Sequence, residues 1–210
     1  MSRIEYNPSL NDKVNGQLGD LGVEIQIPLS SIKDLIMPYK VYTALVSQSG
    51  GDEPLEINGD EAIPLTIGVT YEIIDNSPNL ADFTNVGAPN NNAGTKFVAT
   101  GTTPASWGNI DEGWAVLSYN LGAPTVIVLE NTIGNIWFGY ENVGNYSINS
   151  DALFINNKTY CSATLSNDNY DNTNVMLGRD NDSIVRMITL LPGDGLFDNS
   201  NTSIEIRVYN

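Results

Sequence analysis

Tyr39-Lys40-Val41-Tyr42-Thr43-Ala44-Leu45-Val46-Ser47 is the stretch whose reading decides the fold. It is rich in β-branched and aromatic residues, and it lies between Pro38 and the turn cluster Ser49-Gly50-Gly51-Asp52. Side chains in a strand point alternately to opposite faces, so such a run reads as a β-strand with one face turned to a core. Further runs of this kind follow at Val69–Ile74, Thr95–Thr100, Trp114–Tyr119, Thr125–Glu130, Ile136–Tyr140 and Asn145–Asn149. Thr159–Leu165, Ile184–Leu191 and Ser203–Tyr209 complete the series. Turn clusters such as Asn90-Asn91-Asn92-Ala93-Gly94 and Pro192-Gly193-Asp194-Gly195 separate them. Strand upon strand, with no helical period between and no internal repeat, predicts an all-β domain over residues 38–210. An antiparallel β-sandwich or jelly-roll-like fold is expected, with the C-terminal strand tied into a sheet.

Residues 1–37 read differently. Asn7-Pro8 and three glycines (Gly16, Gly19, Gly22) precede a short alternating run of Val23, Ile25 and Ile27, which Pro28 ends. Ser30-Ser31 then offers a cap for one short helix with Ile32, Leu35 and Ile36 on one face, stopped by Pro38. A segment this short and Gly-punctuated cannot bury a core of its own, so an extended arm that lies either on the rest of this chain or on a partner is expected. Val23, Ile25, Ile27, Ile32, Leu35 and Ile36 are its candidate anchoring residues. The run Val23–Ile27 suits strand addition to a partner's sheet edge; the Ile32/Leu35/Ile36 face suits a small symmetric bundle, giving a homodimer or homotrimer.

The chain of 210 residues carries a formal charge of −16, of which −2 falls on residues 1–37 and −14 on the remainder. Nine basic residues, scattered, cannot form the cationic stripe that phosphate backbones or anionic membrane surfaces require. No nucleic acid and no membrane is therefore expected as a partner. No apolar run approaches the length of a transmembrane helix, and no signal peptide is evident, so synthesis in the cytoplasm is expected. The 27 asparagines cluster in the inferred loops, where they cap turns.

Histidine is absent and Cys161 is the single cysteine, expected as a buried thiol. Ser-His-Asp and Cys-His machinery, histidine or thiolate zinc sites and intrachain disulfides are excluded by composition. No phosphate-binding loop or dinucleotide fingerprint occurs. Carboxylates remain. Asn109-Ile110-Asp111-Glu112-Gly113 places two of them between Trp107 and Trp114, which are candidate glycan contacts, although core or loop packing suits both rings better. Asp168-Asn169-Tyr170-Asp171 and Asp180-Asn181-Asp182-Ser183 are oxygen-rich but lack the glycine and glutamate of an EF-hand, and solvated turns are the expectation. The reading is of a non-enzyme with no catalytic residue, no metal and no cofactor.

Several stretches together carry a resemblance. Met37-Pro38-Tyr39-Lys40-Val41-Tyr42-Thr43-Ala44-Leu45 leads into Ser47-Gln48-Ser49-Gly50-Gly51-Asp52. Asp82-Phe83-Thr84-Asn85-Val86-Gly87-Ala88-Pro89-Asn90 and Gly94-Thr95-Lys96-Phe97-Val98-Ala99-Thr100-Gly101-Thr102-Thr103-Pro104 follow. Val128-Leu129-Glu130-Asn131-Thr132-Ile133-Gly134 precedes Trp137-Phe138, and the chain closes on Ile204-Glu205-Ile206-Arg207-Val208-Tyr209. This combination over residues 37–210 resembles small β-rich virion proteins of tailed phages, including crAss-like and marine Bacteroidetes phages. The resemblance implies a virion structural protein, a head fibre or capsid decoration, with residues 1–36 as an arm added in front. Its implied partners are other virion proteins of the capsid, neck or tail. The alternative is a receptor- or glycan-binding module of a tail fibre or baseplate, with Trp107, Trp114 and Trp137 as stacking platforms for a host-surface glycan.

Overall fold

The computed structural model describes residues 13–18, 23–28, 38–48, 54–61, 63–77, 80–109, 111, 113–165, 174–191, 193, 195–198 and 201–210. The chain divides into two units: Met1–Lys40 with Tyr209–Asn210, and Val41–Val208.

In the first unit, β1 (Lys13–Leu18) and β2 (Val23–Pro28) form an antiparallel hairpin. Its register sets Val23 opposite Leu18, Ile25 opposite Gly16 and Ile27 opposite Val14. The expected strand at Val23–Ile27 is therefore present, and it has a partner strand that Asn15 and Gly16 concealed in the sequence. Tyr39 and Tyr209 stack with ring centroids 5.3 Å apart, and the Asn210 N–H donates to the Pro38 carbonyl. The expected helix around Ile32, Leu35 and Ile36 lies outside the described residues.

The second unit is all β. In chain order its strands begin with β3 (Tyr39–Ser47), which starts in the first unit, then β4 (Pro54–Asn58), β5 (Thr70–Asp75), β6 (Ala81–Asp82) and β7 (Lys96–Val98). Next come β8 (Ser106–Asn109), β9 (Gly113–Trp114), β10 (Val116–Asn120), β11 (Thr125–Asn131) and β12 (Ile136–Asn142). The series ends with β13 (Asn145–Ser150), β14 (Thr159–Leu165), β15 (Asn174–Arg179), β16 (Ile184–Leu191), β17 (Gly195–Leu196) and β18 (Thr202–Tyr209).

A β-sandwich forms the larger lobe. One sheet has the order β11-β3-β18-β14, the other β12-β13-β16-β15 with β17 beside β16. Alternation explains what each strand buries. Thr202, Ile204, Ile206 and Val208 of β18 turn inward, while Ser203, Glu205 and Arg207 do not. They meet Tyr146 and Ile148 of β13 and Val185 and Met187 of β16 in one apolar core. Cys161 packs against this core half-buried, and burial pushes its thiol up to about 11.

A smaller lobe is inserted between β3 and β11. Its sheets have the orders β4-β10-β5-β7 and β6-β8-β9. Its core is more aromatic: Tyr71, Phe83, Phe97 and Trp107 pack with Leu65, Ile73 and Leu117. The two lobes are joined by backbone. Gly68 donates to the Ala99 carbonyl and accepts from the Val126 N–H of β11. At φ +87° a Cβ there would fall 2.4 Å from the Val126 carbonyl oxygen, so only glycine fits this approach.

Candidate functional site

The seam between the lobes carries a run of surface depressions. Here β12 of the sandwich runs past β5 and β7 of the smaller lobe, and the Phe138 N–H donates to Thr70 Oγ1 at 3.0 Å. Ile136 and Phe138 turn into the sandwich core, so strand alternation sends Trp137, Gly139 and Glu141 to the opposite face. Trp137 stands opposite Asn149, and Gly139 opposite Ser147. Across the seam, Lys96 pairs in register with Glu72 and bridges it at 3.3 Å.

Three depressions adjoin along this seam. The first, about 410 Å³, includes Glu72, Lys96, Ser118, Trp137, Ser147 and Asn149 in its lining. A second of about 530 Å³ shares Lys96 and Trp137 with it and adds Asn90, Asn92 and Asp151. The third, about 380 Å³, shares Pro89 and Asn135 with the second and reaches Tyr42 and Thr100. Shared walls make them one interrupted groove with Trp137 at its centre. Asn135 Nδ2 donates to the Lys96 carbonyl at 2.9 Å, and Asn149 Nδ2 to Ser147 Oγ at 3.0 Å, so the walls are held by polar contacts. Gly139 leaves its place to the Ser147 side chain of the neighbouring strand. A Cβ there would sit 2.5 Å from Ser147 Oγ.

The candidate tryptophans separate sharply. Trp107 is 9% exposed and meets Phe83 edge-on at 5.5 Å and 84°, inside the smaller lobe's core. It is a core residue rather than a stacking platform, because its ring face is already covered. Trp114 stands opposite Gly108 in the β8-β9 hairpin and packs half-buried against the same core. Asp111 is exposed beside it, with its N–H donating to Asn109 Oδ1 in an ordinary side-chain-capped turn. Glu112 and Ile110 lie outside the described residues. Trp137 alone of the three lines the groove.

Of the two oxygen-rich runs, Asp168–Asp171 lies outside the described residues. In the other, Asp182 pairs with Arg179 and Asp180 with Arg186 at 3.0 Å, while the Ser183 N–H donates to Asn181 Oδ1. Those carboxylates are already neutralised by arginine. Among the described residues no three His, Cys, Asp or Glu side chains gather as a metal site. The anchoring candidates Val23, Ile25 and Ile27 all lie on β2, whereas Ile32, Leu35 and Ile36 lie outside the described residues. What sequence reasoning missed is the contribution of Lys96, Glu72, Gly139, Ser147 and Asn149 around Trp137. Only strand pairing and lobe packing bring them together.

No family model, curated protein or solved structure matches this chain. The site therefore rests on its own geometry.

Proposed function

We propose that this chain is a non-enzymatic structural protein of a tailed-phage particle, a head fibre or capsid-decorating protein held by its N-terminal residues. The observation that carries the reading is the β1-β2 hairpin. Among the described residues no third strand joins it. A two-stranded hairpin alone is marginal in water, so a surface that adds strands or covers a face completes it. Another virion protein supplies that surface, or further copies of this chain do so in a homodimer or homotrimer. The acidic β-domain, which keeps neighbouring copies apart by like charge, is the displayed part.

Deleting residues 1–36 is expected to leave a folded β-domain by circular dichroism that no longer enters particles. Ile25→Pro, which removes a ladder donor from β2, is expected to act the same way in the full chain. Undiminished incorporation of both variants refutes the anchoring role. The second reading, a receptor- or glycan-binding module of a tail fibre or baseplate, is favoured by one observation: the groove around Trp137.

A further inference from the structure

The groove at the lobe seam has properties that core packing does not explain. Trp137 occupies the outer face of β12, between two core residues that already fill the inner face. A large aromatic left partly exposed on the outer face of a strand is an unused apolar surface. Around it the wall is polar and short: Ser118, Ser147 and Asn149 in the first depression, and Asn90, Asn92 and Asn135 in the second. Asn90 Oδ1 accepts from the Thr95 hydroxyl at 2.6 Å and from the Asn92 N–H, which fixes that rim. A flat aromatic ring flanked by fixed amide and hydroxyl groups matches one ligand chemistry above others. Sugar rings present a C–H face to stack on an indole and equatorial hydroxyls to bond with amides.

Charge narrows the class. Glu72, Glu141 and Asp151 stand in the linings of the first two depressions against one basic residue, Lys96, which Glu72 already pairs. With a formal charge of −16 on the chain, a polyanion is repelled before contact. The extent of the groove narrows it further. Three adjoining hollows that share walls at Trp137 and Asn135 suit successive residues of a chain better than one free sugar.

We propose that this seam groove binds an uncharged polysaccharide, with Trp137 as the stacking platform and Asn149, Asn90 and Asn92 as hydroxyl partners. The proposal gives the receptor-binding reading its site. It rests on the β-domain alone, so it stands or falls apart from the anchoring of residues 1–36.

The test is calorimetry of the full chain against dextran, mannan, xylan and galactan, with heparin and alginate as charged comparators. At least one neutral polymer is expected to bind, with heparin and alginate silent. Trp137→Ala is expected to weaken that binding by about tenfold or more, and Trp137→Phe to retain much of it. Trp114→Ala is expected to leave it unchanged where thermal melting shows the fold intact. Binding to none of the neutral polymers, equal affinity in Trp137→Ala, or preference for heparin overturns the proposal. Particle incorporation of Trp137→Ala is expected to match wild type, which separates failure of the groove from failure of the anchor.

Discussion

In the sandwich, Ala44, Val46, Ile148, Val185 and Ile206 pack with four rings between a four-stranded and a five-stranded sheet, whereas in the inserted lobe four rings pack with fewer aliphatic residues between much shorter strands. Long strands satisfy their own backbone through the ladder. Short ones leave polar groups over, and in the smaller lobe asparagine side chains meet that need. Asn76, 4% exposed, accepts from the Ala81 N–H and donates to the Ala81 and Asn91 carbonyls. Asn91 Oδ1 in turn accepts from the Phe83 N–H, and Asn85 ties itself to the Thr103 carbonyl and the Ala105 N–H. One core is therefore held by alternation and the other by amide-fixed loops around aromatic rings. The difference teaches that an asparagine-rich sequence can be structural throughout without being loose.

The contrast is most strongly tested by Phe83→Ala. Phe83 is fully buried between Phe97 and Trp107, and its truncation is expected to cost about 3–5 kcal/mol in denaturant unfolding. A loss below about 1 kcal/mol would mean that the rings do not hold the smaller lobe. Next in size is Asn76→Ala. It strands two carbonyls and an N–H in a buried site, and a loss of about 1–3 kcal/mol is expected. An equal loss from Asn92→Ala, which is exposed on the rim, would remove the distinction between buried and surface asparagine.

The smallest effect concerns alkaline pH and both cores. Tyr42 and Tyr71 are both raised by burial, and Cys161 is pushed up to about 11 for the same reason. The folded chain keeps these protons at pH values where the unfolded chain releases them. Their contribution is thus complete below pH ~8.5 and is lost as pH rises through the folded values. Melting temperature is expected to fall from about pH 9 upward, and Cys161→Ala to flatten the earliest part of that fall. Tyr42 Oη is also buried without a hydrogen-bond partner, so Tyr42→Phe is expected to gain about 1 kcal/mol at pH 7 and to lessen the alkaline loss. A destabilised Tyr42→Phe would show that the hydroxyl is satisfied in solution.

How far the sequence foretold this structure follows from the same contrast. The sandwich strands were legible, with Tyr39–Ser47, Thr159–Leu165 and Ile184–Leu191 matching residue for residue. Strand β4 escaped because only Ile57 is buried along Pro54–Asn58, and its leading proline marks a sheet edge. Strand β8 reads as a turn, since Gly108 and Asn109 punctuate it, and β15 carries Asn174, Gly178 and Arg179 in place of a clean apolar face. For the site, the three tryptophans look alike in a linear chain. Trp107 meets Phe83 and Trp137 meets Lys96 only after the lobes form, so burial, not sequence, decides which ring is free to stack.

The position of β18 has a bearing on how the molecule is made. Residues 202–209 form an inner strand of the first sheet, lying between β3 and β14, which come from much earlier in the chain. During translation β3 and β14 have no common neighbour, and the edge of each that pairs with β18 stays open until residues 202–209 leave the ribosome. Closure of the sheet is a contact of long sequence separation, which slows folding. A nascent chain stalled before residue 202 would expose two open strand edges, the kind of surface that chaperones hold and that aggregates recruit.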